Sequence, residues 1–153
     1  MKSRCPSWFP VAVRQMTSAD YEDAFALWKN SKGIGLSAAD SKERFERYLV
    51  RNPGLSFVAF VERELAGAIL GGHDGRRGYI HHLAVKDSLR RRGIGRALVE
   101  HCQKALVQAG ITKCHVFVFT DNLEATRFWK KMGWFERTEL LMISRNLACE
   151  ELS

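Results

Sequence analysis

LAVKDSLRRRGIGRALVEHC (residues 83–102) decides how this chain is read. An apolar run ending in Val85 meets three consecutive arginines, then Gly-Ile-Gly, then apolar residues at helical spacing. Ile94, Ala97, Leu98, Cys102, Ala105, Leu106 and Ala109 follow an i, i+3/4, i+7/8 stripe that Gly110 stops, so a helix is predicted from about Gly93. The stretch is therefore strand, glycine-bearing loop and helix N-terminus. Free amides of a first helical turn and the helix dipole together favour an anion there. Gly93 and Gly95 let the backbone approach a ligand closely, and Arg90, Arg91, Arg92 and Arg96 add charge. A pyrophosphate suits such a place. A solvated basic loop whose glycines only turn the chain accounts for the same residues equally well.

Outward from that stretch, the elements come in a regular order. VAVRQM (11–16) reads as a strand, and Thr17 or Ser18 caps a helix carrying Tyr21, Ala24, Phe25 and Trp28. A second helix starts near Ala38 with Phe45, Tyr48 and Leu49 on its apolar face and ends at Asn52-Pro53-Gly54. SFVAFVE and LAGAILGG form a hairpin through an Arg-Glu connection, and YIHHLAV (79–85) is the strand that feeds the arginine loop. KCHVFVF (113–119) is a further strand, DNLEATRFWKKM (121–132) a capped helix, and WFERTELLMISR (134–145) two short closing strands. The fold class expected is α/β in the α+β sense, a mostly antiparallel mixed sheet with helices on both faces. Residues 11–147 form one domain between a flexible lead-in (1–10) and a tail (148–153).

The 153 residues carry a formal net charge of +7, which favours an anionic partner. Cys5, Cys102, Cys114 and Cys149 lie far apart with no C-x-x-C pair, as suits reduced thiols in the cytoplasm. No run approaches the ~20 apolar residues of a membrane span, and the N-terminus lacks an uninterrupted apolar core of a secretory signal. The five histidines show no metal-ligand spacing, so no metal is expected. There is neither G-K-[ST] nor G-x-G-x-x-G, which removes the P-loop and Rossmann readings.

Arg90-x-x-Gly93-x-Gly95 after LAV resembles the R/Q-x-x-G-x-G/A acetyl-CoA signature of the GNAT superfamily of N-acyltransferases. NLEATRFWKKMGW (122–134) is similar to that family's second segment, N-x-x-A-x-x-F-Y-x-x-x-G-F, and the element order is the family's order. The resemblance spans residues 11–143 and is to single-domain, bacterial-type members. It implies a sheet splayed between its two parallel strands, YIHHLAV and KCHVFVF, with acetyl-CoA wedged between them. Carried over by position, it implies that backbone groups of Leu83, Ala84 and Val85 pair with the pantetheine arm. Arg90 and the amides of Arg91, Arg92, Gly93, Ile94, Gly95 and Arg96 would hold the pyrophosphate. Asn122 and Trp129 would lie along the cofactor.

The implied reaction moves an acetyl group from acetyl-CoA to a primary amine by direct attack in a ternary complex. The ammonium, with pKa ~10, must lose a proton to a base. Relatives often place a glutamate on the strand before the loop, whereas this strand carries His81 and His82. Simple alternation sets Tyr79, His81, Leu83 and Val85 on one face and Ile80, His82 and Ala84 on the other. His81 is favoured as base, with His82 or a water as the open alternatives. The Leu83 N–H would meet the oxyanion. Relatives usually have tyrosine at position 129 as acid for the leaving thiolate. Tryptophan cannot serve, which leaves Tyr79 or water. Trp129 reads equally well as a core aromatic beside Phe128 and Met132. The acceptor would bind near Tyr21, Trp28 and Tyr48, with Glu22, Asp23 or Asp40 to recruit a cation. Two other readings stay open. One is a CoA-binding regulatory module with little turnover, motivated by Trp129 and the missing strand carboxylate. The other, set third, is a basic nucleic-acid-binding protein. A homodimer formed through the two closing strands completes the expectations.

Overall fold

The computed structural model describes residues 10–148. The expected lead-in and tail fall almost wholly outside these residues. Five strands form one sheet in chain order: β1 (Val11–Gln15), β2 (Phe57–Val61), β3 (Glu64–His73), β4 (Gly78–Val85) and β5 (Cys114–Val116). The first four are antiparallel and β4–β5 is parallel, because helix α3 (Ile94–Gln108) carries the chain back across the sheet.

Each face of the sheet is covered. Ile69 and Ile80 of the sheet pack with Ile94, Leu98, Val99, Cys102 and Leu106 of α3 and with Trp129 of α4 (Leu123–Lys131). On the other face Val58, Ala68, Leu70 and Ala84 meet Trp28 of α1 (Tyr21–Lys29) and Phe45 of α2 (Lys42–Arg51). β2 and β3 are covered on both sides, so they read as nearly continuous apolar runs.

Local chemistry sets the boundaries. Thr17 and Asp20 form a capping box around a single 3-10 turn, Ser18–Asp20, and α1 starts only afterwards. Ser37 and Asp40 do the same for Ala38–Asp40, so α2 begins at Lys42 with Ser41 as its cap, not near Ala38. The β2–β3 turn is Glu62-Arg63, one residue earlier than expected, with Glu62 left-handed at φ 57°. Gly110 and Gly133, at φ 85° and 89°, follow the ends of α3 and α4.

The closing strands are the main correction. Among the described residues, none after α4 lies in a strand. β5 is only three residues long, Cys114–Val116, and among the described residues its outer edge has no partner strand. Leu141, Met142, Ile143 and Leu147 stand 71–95 % exposed.

Candidate active site

β4 carries the site, and its geometry turns on one irregularity. Leu70 pairs with His81 but Ala68 with Ala84, so three steps on β4 oppose two on β3. The extra residue makes a bulge at His82, whose φ is +51°. A bulge shifts the side-chain parity, and the core contacts display the shift. Ile80, Leu83 and Val85 belong to the α3 side, while Ala84 lies on the α1/α2 side. The expected alternation is therefore overturned. His81 and His82 share the α1/α2 face, where His81 meets the Tyr48 ring and His82 the Trp28 ring. Leu83 and Val85 point to the opposite face.

His81 lies in an aromatic row, stacked with Tyr79 and Phe117 at centroid distances of 6.4 and 6.3 Å. Burial first, then its neighbour His82, lowers its pKa from the ordinary histidine value, with Asp40 opposing. Tyr79 sits where β4 still pairs with β5, opposite His115. His82 Nε2 lies 2.6 Å from Asp40 Oδ1, both side chains largely buried. Burial pushes the Asp40 carboxyl up, but hydrogen bonds from His82 and the Ser37 N–H outweigh it and hold the pKa below the usual carboxylate value. Asp40 is thus engaged, and Glu22 is paired with Lys42 at 3.2 Å. No sequence pattern links Asp40 to His82 across 42 positions; the Ser37-x-x-Asp40 capping box signals only a rigid turn.

Beyond Ile80 and Val116 the parallel pair separates, leaving the β5-facing edge of residues 81–85 open. That open edge runs into the arginine loop. A 3-10 turn, Asp87–Leu89, is followed by left-handed Arg91 (φ 63°) and by Gly93 (φ 76°), which is the N-cap of α3. Gly93 supplies no side-chain cap, so the first-turn amides are left for another acceptor. A Cβ on Gly93 would meet nothing within 4 Å. Arg90, Arg91 and Arg96 are exposed, and Arg90 reaches Asp87 and Glu124 at 3.2 and 2.9 Å.

α4 closes the far side. Asn122 caps it, its Oδ1 accepting from the Ala125 N–H at 3.1 Å, while its amide nitrogen abuts Gly33. A Cβ on Gly33 would fall 2.3 Å from that nitrogen, so the α1–α2 connection lies against this cap. Trp129 is 7 % exposed, edge-on to Phe128 and Trp134 at 5.2 and 4.6 Å, within the α3-side core. A separate depression of about 510 Å³ lies between α1 and the end of β4, lined by Asp23, Leu27, Asn30 and Lys86 among others. Neither histidine lines it.

An open strand edge leading into an uncapped, basic helix start is the arrangement the sequence motif implied. The acetyltransferase (GNAT) family model matches residues 15–134, and the chain belongs to that family. It is 31% identical over 142 residues to an acetyltransferase of Photorhabdus laumondii, covering 92% of this chain and 99% of that one. Solved structures share the fold. The PaiA N-acetyltransferase of Thermoplasma acidophilum in complex with coenzyme A gives a TM-score of 0.70 at 21% identity, covering 80% of this chain and 88% of that chain. The ribosomal-protein-S18-alanine N-acetyltransferase of Escherichia coli gives 0.69 at 19%, covering 84% and 80%. The protein is an acetyltransferase of this family.

Proposed function

We propose that this protein transfers the acetyl group of acetyl-CoA to a primary amine, on a small molecule or a peptide, by direct attack within a ternary complex. The observation that carries this reading is the loss of β4–β5 pairing beyond Ile80, on the strand that leads through the arginine loop to the uncapped start of α3. Backbone groups of residues 83–85 then pair with the pantetheine amides as an added strand would. The amides from Arg91 to Arg96, with the Arg90 and Arg92 side chains, receive the pyrophosphate. Asn122 closes the far side of the gap, and Trp129 contributes through the core wall behind it. The α1/α2 face takes the acceptor, with the histidine pair of β4 as the source of a proton acceptor. The Leu83 N–H faces the developing oxyanion, and Tyr79 or water supplies the thiolate's proton. The cytoplasm supplies acetyl-CoA and suits the unpaired Cys102 and Cys114.

Incubating the protein with acetyl-CoA and a panel of polyamines, amino acids and alanine-initiated peptides tests this reading by release of free thiol. Amine-dependent release supports it. Tight CoA binding without release from any amine would replace it with a CoA-binding regulatory role.

We also propose a homodimer. Leu141 and Ile143 are each 89 % exposed and Leu147 95 %, and Phe117 and Phe119, which follow β5, are exposed as well. Among the described residues β5 has no partner on its outer edge. An apolar arm and an open edge in one chain complement each other across a two-fold axis, since the same two surfaces recur in the second copy.

A further inference from the structure

We propose that His82, oriented by Asp40, is the group that takes the proton from the attacking amine. This inference deepens the transferase reading above and rests on it. Three independent restraints fix the pair. Asp40 Oδ2 accepts the Ser37 N–H at 2.9 Å, and the Tyr21 hydroxyl donates to the Asp40 backbone carbonyl at 2.7 Å, so both the carboxylate and the backbone of Asp40 are held. The His82 ring lies 5.3 Å from the indole of Trp28, which is itself fully buried. The bulge fixes the His82 backbone in the left-handed region, a strained conformation for a non-glycine residue that clusters at functional sites.

The chemistry follows from which nitrogen is committed. Nε2–H donates to Asp40, so a neutral His82 presents the Nδ1 lone pair, which has no hydrogen-bond partner among the described residues. The ring belongs to the stretch of β4 that has no β5 partner, where the thioester is placed above. An ammonium gives one proton to Nδ1, and the freed nitrogen lone pair bonds to the thioester carbonyl carbon. The C–S bond then breaks, the thiolate takes a proton from Tyr79 or water to become free thiol, and the second amine proton makes good that loss. The imidazolium, held against the Asp40 carboxylate, returns its proton to water. His81, embedded among Tyr79, Tyr48 and Phe117, forms the wall beside it. Asp40 touches no reactant and is a positioning residue.

The titratable groups facing the pair are His81 on β4, Tyr21 on α1 and Tyr48 on α2, with the Glu22–Lys42 ion pair at its margin. Wild type, His82→Gln and Asp40→Asn are compared with acetyl-CoA and the best acceptor among spermidine and an alanine-initiated peptide, as kcat/KM against pH. Histidine nitrogen NMR on the same proteins reads tautomer and titration directly. His82→Gln is expected to lower kcat about 100-fold with CoA affinity unchanged. Asp40→Asn is expected to lower kcat about 10-fold with KM for acetyl-CoA unchanged, the split of a group that orients the base without touching the cofactor. NMR is expected to show His82 protonated at Nε2 when neutral. His82→Gln turning over within 3-fold of wild type, with wild-type CoA affinity, overturns the assignment alone. So does an acid limb erased only by His81→Gln, or a neutral His82 protonated at Nδ1 in wild type. Wild type that binds acetyl-CoA yet acetylates neither acceptor overturns the transferase reading, and the assignment with it.

Discussion

Arg90 Nη1 donates to Glu124 Oε1 at 2.9 Å and so ties the loop before α3 to the first turn of α4. The same guanidinium reaches Asp87 at 3.2 Å. Both contacts are solvent-exposed and contribute about 0–1 kcal/mol each. They hold the guanidinium against carboxylates that a diphosphate would displace. Arg90→Ala is therefore expected to weaken CoA binding about 10-fold, the equivalent of one charge-assisted hydrogen bond. Glu124→Ala is expected to tighten it with little change in stability. Equilibrium titration of both variants checks this, and equal affinities in wild type and Arg90→Ala would remove Arg90 from the site.

Asp20 accepts both Arg14 guanidinium nitrogens at 2.8 Å and the Thr17 N–H at 2.8 Å. Burial would raise its pKa, but these bonds together hold it below the ordinary value. A carboxyl with a depressed folded-state pKa stabilises the fold above its unfolded value of about 4 and loses that contribution as the pH falls through the folded value. Asp20→Asn is expected to cost about 1–3 kcal/mol at pH 7. Urea denaturation at pH 7 and pH 3 should show the difference from wild type shrinking in acid.

Trp129 stands where the family pattern has tyrosine, and its burial against Phe128 and Trp134 makes it a packing residue. Trp129→Ala is expected to lose about 3–5 kcal/mol. Trp129→Tyr is expected to lower the denaturation midpoint without raising thiol release. A faster Trp129→Tyr enzyme would mean that an acid is wanted at this position.

Replacing Leu141 and Ile143 with arginine is expected to leave the domain folded, since neither side chain packs in its core. Sedimentation velocity should then find wild type dimeric and the double variant monomeric. A wild type that stays monomeric at high concentration would contradict the arm-exchange proposal.

How much of this was legible depends on the range of the interactions. The helices and the arginine loop follow from near-neighbour chemistry, such as the Ile94-to-Leu106 stripe and the left-handed stops at Gly110 and Gly133, whereas the starts of α1 and α2 are displaced by the 3-10 turns before them. The parallel β4–β5 pair and its separation were implied by the family resemblance, and the strand register agrees. Period-two alternation failed at His82, because a bulge depends on how β3 and β4 pair and leaves no mark on the local pattern. The Asp40–His82 contact is hidden for the same reason, being made by folding. The closing segment alternates like a strand, yet a strand exists only where a ladder partner is present.

The central claim is that the start of α3 is a diphosphate cradle, and Gly93 tests it most directly. Its φ of 76° suits aspartate better than most residues, and a side chain there meets no neighbour within 4 Å. Gly93→Asp should therefore fold, with Gly93→Ala as the control for backbone strain. The new carboxylate would cap the first-turn amides and repel a phosphate. Isothermal titration with CoA is expected to give one site per chain in wild type, a modest loss in Gly93→Ala and at least a 100-fold loss in Gly93→Asp, about 2.7 kcal/mol. Wild-type affinity in Gly93→Asp, or no binding to wild type at millimolar CoA, would contradict the account.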